Sequence, residues 1–517
     1  MGQPSPPRTN ARPEANAAPT PSEHGGGVAR LVRIILVLVM LAIPARIILY
    51  GYLPVDDALR HAAKAVSGKP WPEILVLGQP YTVDHNFGWD AFLRWIYLAT
   101  DCDTERLVDI SVLGLFFVAG GVVLPWLKRP EAWLAALLLG CVGWQPLASR
   151  LLIGRPLLLT IAMLVAVLLV WQRHGASPPR RPTILLLSGL VGAAVLFHGV
   201  WYLWALPVAA FLLARQYRWA LALAAGWVGG TAVAAVLTGH PLDFLVEAVQ
   251  TTLRATQLHL TARTLVPELQ PVSGGLFFFL VIGGLLVLRR LERSDAPPLN
   301  RDPSFWLAAL GWVLGFAARR FWEDWGLPAL MVLVAGDLVR FWERKVAADS
   351  PKRLALAGGL AIALFFTLTS DVDSRWTRSL TRQFLARDDP EQADWLPERG
   401  GVFYAADPSF FYDTFLKNPR ADWRYVLGFE MTLMPADDFK TLYGILWNHG
   451  AAAAYQPWVA KMRPADRLFI RGDAASTPPI TGLEWHYLLG GMWSGRLPHA
   501  STSPARPPGP TPVHPRE

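Results

Sequence analysis

Residues 31–65 read LVRIILVLVMLAIPARIILYGYLPVDDALRHAAKA: an apolar run, a Gly-Tyr-Leu-Pro corner, two aspartates and an alanine-rich stretch. A helix needs about 20 apolar residues to cross the hydrocarbon core of a bilayer. The run 31–50 meets that length, and no small-residue cleavage site follows it, so it predicts a retained anchor rather than a removed leader. Further apolar segments lie near 109–127, 132–149, 156–171, 183–199, 201–214, 219–238, 273–288, 304–318, 326–339 and 354–370, which makes eleven expected spans. The whole chain agrees with this reading. Of 517 residues, 52% are hydrophobic and 17% are charged, against about 25% charged in soluble domains. A single water-soluble globule is excluded, and the expected fold is an α-helical polytopic protein of the cell membrane.

The formal charge of +8 gathers in short clusters between the apolar segments. These are Lys128 and Arg129; Arg173, Arg180 and Arg181; Arg215 and Arg218; Arg289, Arg290, Arg293 and Arg301; and Arg340, Arg344, Lys345, Lys352 and Arg353. With the N-terminus inside, all of them fall on the cytoplasmic side, as the positive-inside rule requires. The charge therefore reads as topology and not as a nucleic-acid surface. The orientation depends on two short helices meeting near residues 197–201, because one span over 183–214 would invert everything downstream. Cys102 and Cys141 fit neither a disulfide framework nor a metal set. Tryptophan is abundant, at 23 residues, which suits an interfacial belt and leaves some for a binding surface.

The expected organisation is a disordered Pro- and Gly-rich tail (1–27), a membrane domain (28–370) with an outer loop (51–108), an extracytoplasmic α/β domain (371–500) and a Pro-rich disordered tail (501–517). Strand-like runs at 401–404, 424–429 and 467–470 mark the α/β domain. A second outer loop, 239–272, carries His240, Asp243, Glu247, Arg254, His259 and Arg263. It reads as a lid or acceptor surface, or equally as a solvated helix face. Tyr404, Asp407, Phe410, Phe411, Tyr412, Trp423, Arg424, Tyr425 and Trp458 give the C-terminal domain an aromatic density suited to sugar rings or to its own core.

Candidate chemistry concentrates on the outer face. Asp56 and Asp57 stand where a helix begins. They read either as N-cap and first-turn acids or as a carboxylate pair that activates a hydroxyl or holds a divalent cation. The following stretch, with Leu59, Ala62, Ala63 and Val66 on one side and Arg60 and Lys64 on the other, predicts a helix on the membrane surface, bearing His61. Asp84 and His85, before Asn86-Phe87-Gly88, are metal ligands, an acid/base pair, or part of a turn. Arg150, Arg155, Arg319 and Arg320 oppose the charge bias by lying outside. Their planar forks suit a phosphate, although Arg320 also stands at helical spacing from Asp324. His198 occupies the outer turn after the fifth span, as a functional group or as an interfacial belt histidine.

An Asp-Asp-Ala start directly after an inside-to-outside first span, followed by an amphipathic helix, resembles the first extracytoplasmic loop of the GT-C glycosyltransferases. These are integral membrane enzymes that use polyprenyl-phosphate sugar donors, and they include the protein mannosyltransferases and the catalytic subunit of oligosaccharyltransferase. The resemblance covers the topology of roughly residues 30–500, while its motif content is short. It implies transfer of a sugar from a polyprenyl-phosphate donor to a glycan, lipid or protein acceptor in the cell envelope. It also implies Asp56 or Asp57 as base or metal ligand, and basic outer side chains at the donor phosphate. A divalent metal would draw on Asp56, Asp84 and His85. The alternatives are a transporter or flippase of lipid-linked saccharide, which predicts charge at mid-membrane, and an assembly protein whose C-terminal domain recruits partners. No Walker motif, GxSxG elbow or CxxC pair is present.

Overall fold

The protein is described from a computed structural model covering residues 25–175, 177–257, 267–292 and 296–498. Most of the 1–27 tail, the 501–517 tail, His259, Arg263 and Arg293 lie outside the described residues.

The chain is mostly helical with a small C-terminal sheet domain. α1 (Gly25–Leu49) leads into the first loop, which folds as α2 (Asp57–Ser67), α3 (Trp71–Ile74) and α4 (Phe87–Thr100). α5 (Thr104–Gly121), α6 (Glu131–Gly143), α7 (Pro146–Leu151), α8 (Leu157–His174), α9 (Arg181–Phe197) and α10 (Ala205–Leu213) follow. Next come α11 (Tyr217–Leu237), α12 (Pro241–Gln257), α13 (Leu276–Leu291), α14 (Pro303–Gly315), α15 (Leu327–Lys345) and α16 (Pro351–Thr369). Each expected apolar segment carries a helix, and 183–214 holds two, α9 and α10, as anticipated. Among the described residues five helices are long and apolar enough to cross a membrane, within Gly27–Leu49, Leu157–His174, Tyr217–Leu237, Arg319–Lys345 and Pro351–Thr369. The apolar helices Glu131–Gly143, Arg181–Phe197, Trp201–Leu213 and Pro303–Gly315 are shorter.

The connectivity sorts the helix ends into two sets. α1 ends, α8 begins and α16 ends on one side, where the first loop and the C-terminal domain assemble. The opposite ends are tied by arginines: Arg353 Nε donates to Glu131 Oε1 at 2.7 Å and Arg289 Nε to Asp337 Oδ2 at 2.8 Å.

The C-terminal domain comprises β1 (Val402–Ala405), α17 (Ser409–Lys417), β2 (Arg424–Tyr425), α18 (Ala436–Trp447), α19 (Gln456–Lys461), β3 (Arg467–Arg471), β4 (Glu484–Tyr487) and β5 (Met492–Arg496). Its sheet runs β2-β1-β3-β5-β4, with β2, β1 and β3 parallel and β5 antiparallel to both β3 and β4. Three expected strands are present, the second shorter than expected, and β4 and β5 are additional. The aromatic residues of this domain are largely core. Tyr404, Phe410, Phe411, Trp423, Tyr425 and Trp458 are all buried, and the Phe403 and Phe469 rings stack at 3.8 Å.

The first loop is a layer of this domain rather than a free flap. Leu75 pairs with Tyr425 at the β2 edge, Val76 N donates to Tyr425 O at 2.9 Å and Gly78 N to Leu433 O at 2.8 Å. Trp71, Ile74, Leu75 and Tyr81 share one apolar core with Phe411, Phe415 and Tyr425. This corrects the expectation for α2, which does not lie on a membrane surface. Ala58, Leu59, Arg60, His61, Ala62, Ala63, Ala65 and Val66 are all buried, because the small side chains let α4, α5 and α17 close around the helix. Its charged residues are buried by pairing and not by facing water.

Candidate functional site

The site forms where α1 gives way to α2. Asp56 occupies the N-cap position of α2 but makes no side-chain capping hydrogen bond. Its carboxylate turns instead to Arg155, whose Nε donates to Oδ1 at 2.9 Å while Nη2 donates to Oδ2. Arg155 reaches it because Gly154 adopts φ +68, a conformation costly for other residues, and packs where a Cβ would lie 3.2 Å from that of Ala58. Asp57 accepts from Arg60 Nε at 2.7 Å and from the Tyr412 hydroxyl at 3.4 Å, both on Oδ1. Its Oδ2 faces Arg155 Nε at 3.6 Å, beyond hydrogen-bond distance.

The network extends in two directions. Arg60 Nη1 donates to Asp84 Oδ2 at 3.2 Å, and its guanidinium lies 4.1 Å from the Phe429 ring centroid. Asp84 also accepts from Trp71 Nε1 at 2.9 Å and from Asn86 N at 2.8 Å. On the other side Glu268 Oε1 accepts from both Arg150 and Arg155 at 2.5 Å. Arg150 completes itself on Asp324, with contacts of 2.7 and 2.9 Å. Asp324 therefore pairs with Arg150 and not with Arg320, because the π-helical turn Trp322–Gly326 breaks the regular spacing on which a helical pair depends. Among the described residues no carboxylate lies within 4.0 Å of Arg320. Its field nonetheless reaches Glu268, Glu430, His85 and His198.

This arrangement separates the two adjacent aspartates electrostatically. Burial pushes the Asp56 carboxyl upward, with the charges of Asp57 and Glu268 adding to the push and Arg155 opposing it. Burial also opposes ionisation of Asp57, but the summed pull of Arg60, Arg155 and His61 outweighs it and holds that carboxyl well below the usual range. Glu268 is drawn down to about 2, because Arg155, Arg150 and Arg320 overcome its burial. Glu430, from the loop after β2, is pushed up to about 7, first by burial and then by Asp57.

Of the residues singled out in the sequence, Asp56, Asp57, Arg60, Asp84, Arg150, Arg155 and Asp324 join one connected set of ion pairs. His61 points elsewhere: fully buried, it pairs with Asp90 at 2.6 Å. His85 is half-buried, and its carbonyl accepts from Gly199 N at 2.7 Å. His198 Nδ1 meets Thr160 Oγ1 at 3.1 Å. Arg319 takes Gln270 O through its backbone N–H at 2.7 Å. The turn expected here is present, with Phe87 N donating to Asp84 O at 3.1 Å, and it leads directly into α4.

The residues proposed as metal ligands do not fit a metal set as arranged. Asp56 is held by Arg155, Asp84 by Arg60, Trp71 and Asn86, and among the described residues no three His, Cys, Asp or Glu side chains converge. Sequence reasoning missed Glu268, Phe429 and Glu430, and marked Tyr412 only as part of the aromatic surface or core, not as a partner of Asp57. The signal for Glu268 was its position near the end of the 239–272 loop, an acid next to an apolar segment and close to the arginines expected on the same side. Phe429 and Glu430 carry no local signal. Comparison with models of known protein families and with curated protein sequences gave no match for this chain.

Proposed function

We propose that the protein is a multi-pass membrane glycosyltransferase of GT-C type, which moves a sugar from a polyprenyl-phosphate donor to an acceptor hydroxyl on the extracytoplasmic face. In this reading all eleven apolar segments cross the bilayer, the N-terminus is inside, and the first loop and the C-terminal domain are outside. The arginine-tied helix ends lie in the cytoplasm, which supports the orientation.

One observation carries the reading. At the outer helix ends, Arg150 and Arg155 are saturated by carboxylates while Arg320, beside the same network, pairs with none among the described residues. A cation with no counter-ion among the described residues, next to a half-buried carboxylate pair, suits a ligand that brings its own negative charge and a hydroxyl to be activated. Asp57 is the base: Oδ1 is fixed by Arg60 and Tyr412, which leaves Oδ2 to accept the proton. The acceptor oxygen attacks the anomeric carbon, the bond from that carbon to the phosphate oxygen breaks, and the acceptor proton passes to Asp57 Oδ2. The lipid phosphate leaves with the bonding electron pair, stabilised by Arg320. Asp56 fixes Arg155, and through it the geometry of the site.

The test is transfer from labelled polyprenyl-phosphate sugars in proteoliposomes. Asp57→Asn abolishes transfer, and undiminished activity in the Asp56→Asn/Asp57→Asn double variant overturns the proposal.

A further inference from the structure

The surface helix that the sequence suggested at α2 has a better counterpart in α4. Along α4 the exposed residues are Ala91, Phe92, Trp95, Leu98, Ala99 and, at its end, Thr100. The first five form one apolar stripe at helical spacing. Phe92, Trp95 and Leu98 retain 38%, 65% and 67% exposure, and the Phe92 and Trp95 rings stack 6.2 Å apart. A helix face that is apolar at every exposed position except its last residue requires a cover.

The opposite face of α4 buries Trp89 and Leu93 and clamps α2 through two polar residues. Asp90 pairs with His61, and Arg94 Nη1 donates to Ala65 O at 2.7 Å and Val66 O at 3.2 Å. The height of α4 is fixed by the outer end of α9. Gly88 packs so closely there that a Cβ would meet Leu196 O at 2.7 Å, and Gly199 N, just past α9, bonds His85 O. Beside that end stand the indoles of Trp201 and Trp227, 6.4 Å apart. Each of them donates to a backbone carbonyl, Leu245 O and Trp201 O respectively. The apolar stripe thus lies at the outer end of α9, where α11, packed along α9 with Gly192 against Gly230, exposes Val233, Val236 and Leu237, at the level where aromatic side chains favour the headgroup layer.

We propose that α4 lies in the outer headgroup layer of the bilayer, with Phe92, Trp95 and Leu98 among the upper acyl chains, and that it seats α2 at that depth. The partner is a phospholipid surface, and a second copy of the chain is the competing cover. The inference rests on the membrane placement and not on the transfer chemistry.

The test uses the full chain with single Phe92→Cys, Trp95→Cys and Leu98→Cys substitutions, nitroxide-labelled in phosphatidylcholine–phosphatidylglycerol vesicles. The native Cys102 and Cys141 are buried and leave the engineered thiols as the accessible targets. Lys440→Cys, on the exposed side of α18, is the reference position. Labels at 92, 95 and 98 should collide with dissolved oxygen several-fold more than with a water-soluble nickel complex, at depths of about 5 to 10 Å, while position 440 shows the reverse. Nickel accessibility at 95 and 98 equal to that at 440 overturns the proposal. Shielding from both reagents overturns it too, because it signifies a protein cover. Any one of the three positions suffices if another variant fails to fold.

Discussion

Arg155 grips Asp56 with two prongs, Nε to Oδ1 at 2.9 Å and Nη2 to Oδ2, and extends Nη1 to Glu268 Oε1 at 2.5 Å. Its whole donor fork is thereby spent on two carboxylates that lie 99 and 113 residues away in the chain. Arg155→Ala leaves two half-buried acids short of a partner, which costs about 1 to 3 kcal/mol of stability. Arg155→Lys restores charge without the planar fork and recovers only part of that loss. Unfolding of the detergent-solubilised variants measures both effects, and wild-type stability in Arg155→Ala contradicts the network.

Tyr412 connects the C-terminal domain to the acid of the first loop through its hydroxyl, 3.4 Å from Asp57 Oδ1. A hydrogen bond donated to a carboxylate favours its charged form. Tyr412→Phe therefore leaves Oδ1 held by Arg60 alone, and because Asp57 titrates well below the usual range, the loss reads as a several-fold lower kcat rather than as a shifted pH profile. The bond is long, so stability falls by only about 0.5 to 1.5 kcal/mol. A kcat identical to that of the wild type would separate Tyr412 from the chemistry.

How far the sequence could be read depended on whether a pairing was local. Asp56, Asp57 and Arg155 stood out because charge beside an apolar segment is unusual wherever the chain leads, and the helices followed from apolar length. Partner choice did not follow. Spacing pointed Arg320 at Asp324, but a π-helical turn and the distant Arg150 redirected that acid. The stripe on α2 looked like a lipid-facing side, yet its alanines admit helices on every flank and its charges are neutralised from within. Glu268, Tyr412 and Glu430 entered through tertiary contacts between the first loop, the second loop and the sheet domain. Strands β4 and β5, Glu-Trp-His-Tyr and Met-Trp-Ser-Gly-Arg, are short and lack an apolar alternation that would mark them.

Glu430 gives the folded protein a pH signature. Its carboxyl titrates at about 7 when folded, against 4.5 for the free group. Between these values the folded chain holds a proton that the unfolded chain has released, so this residue's contribution to stability is fully present below about 4.5 and is lost as pH rises through about 7. Glu430→Gln removes the titration. It should flatten the fall in Tm between pH 5 and 8 and raise Tm at pH 8. An unchanged slope would show that Glu430 is solvated like an ordinary surface acid.

Arg320 offers a test of whether a cation at this site binds a ligand or braces the network. Arg150 and Arg155 are needed for stability because buried acids depend on them, whereas no carboxylate among the described residues lies within 4.0 Å of Arg320. Arg320→Gln should leave stability within about 0.5 kcal/mol of wild type. It should also weaken binding of a polyprenyl phosphate by roughly 10- to 100-fold, the loss of one charge-assisted contact to a phosphate. Arg320→Lys keeps the charge but not the fork and falls between. Binding measured with a fluorescent polyprenyl phosphate in nanodiscs, alongside the unfolding midpoint, reads both quantities on one preparation. If Arg320→Gln lowers the midpoint while lipid-phosphate affinity holds, the side chain braces the network and the phosphate must be met elsewhere.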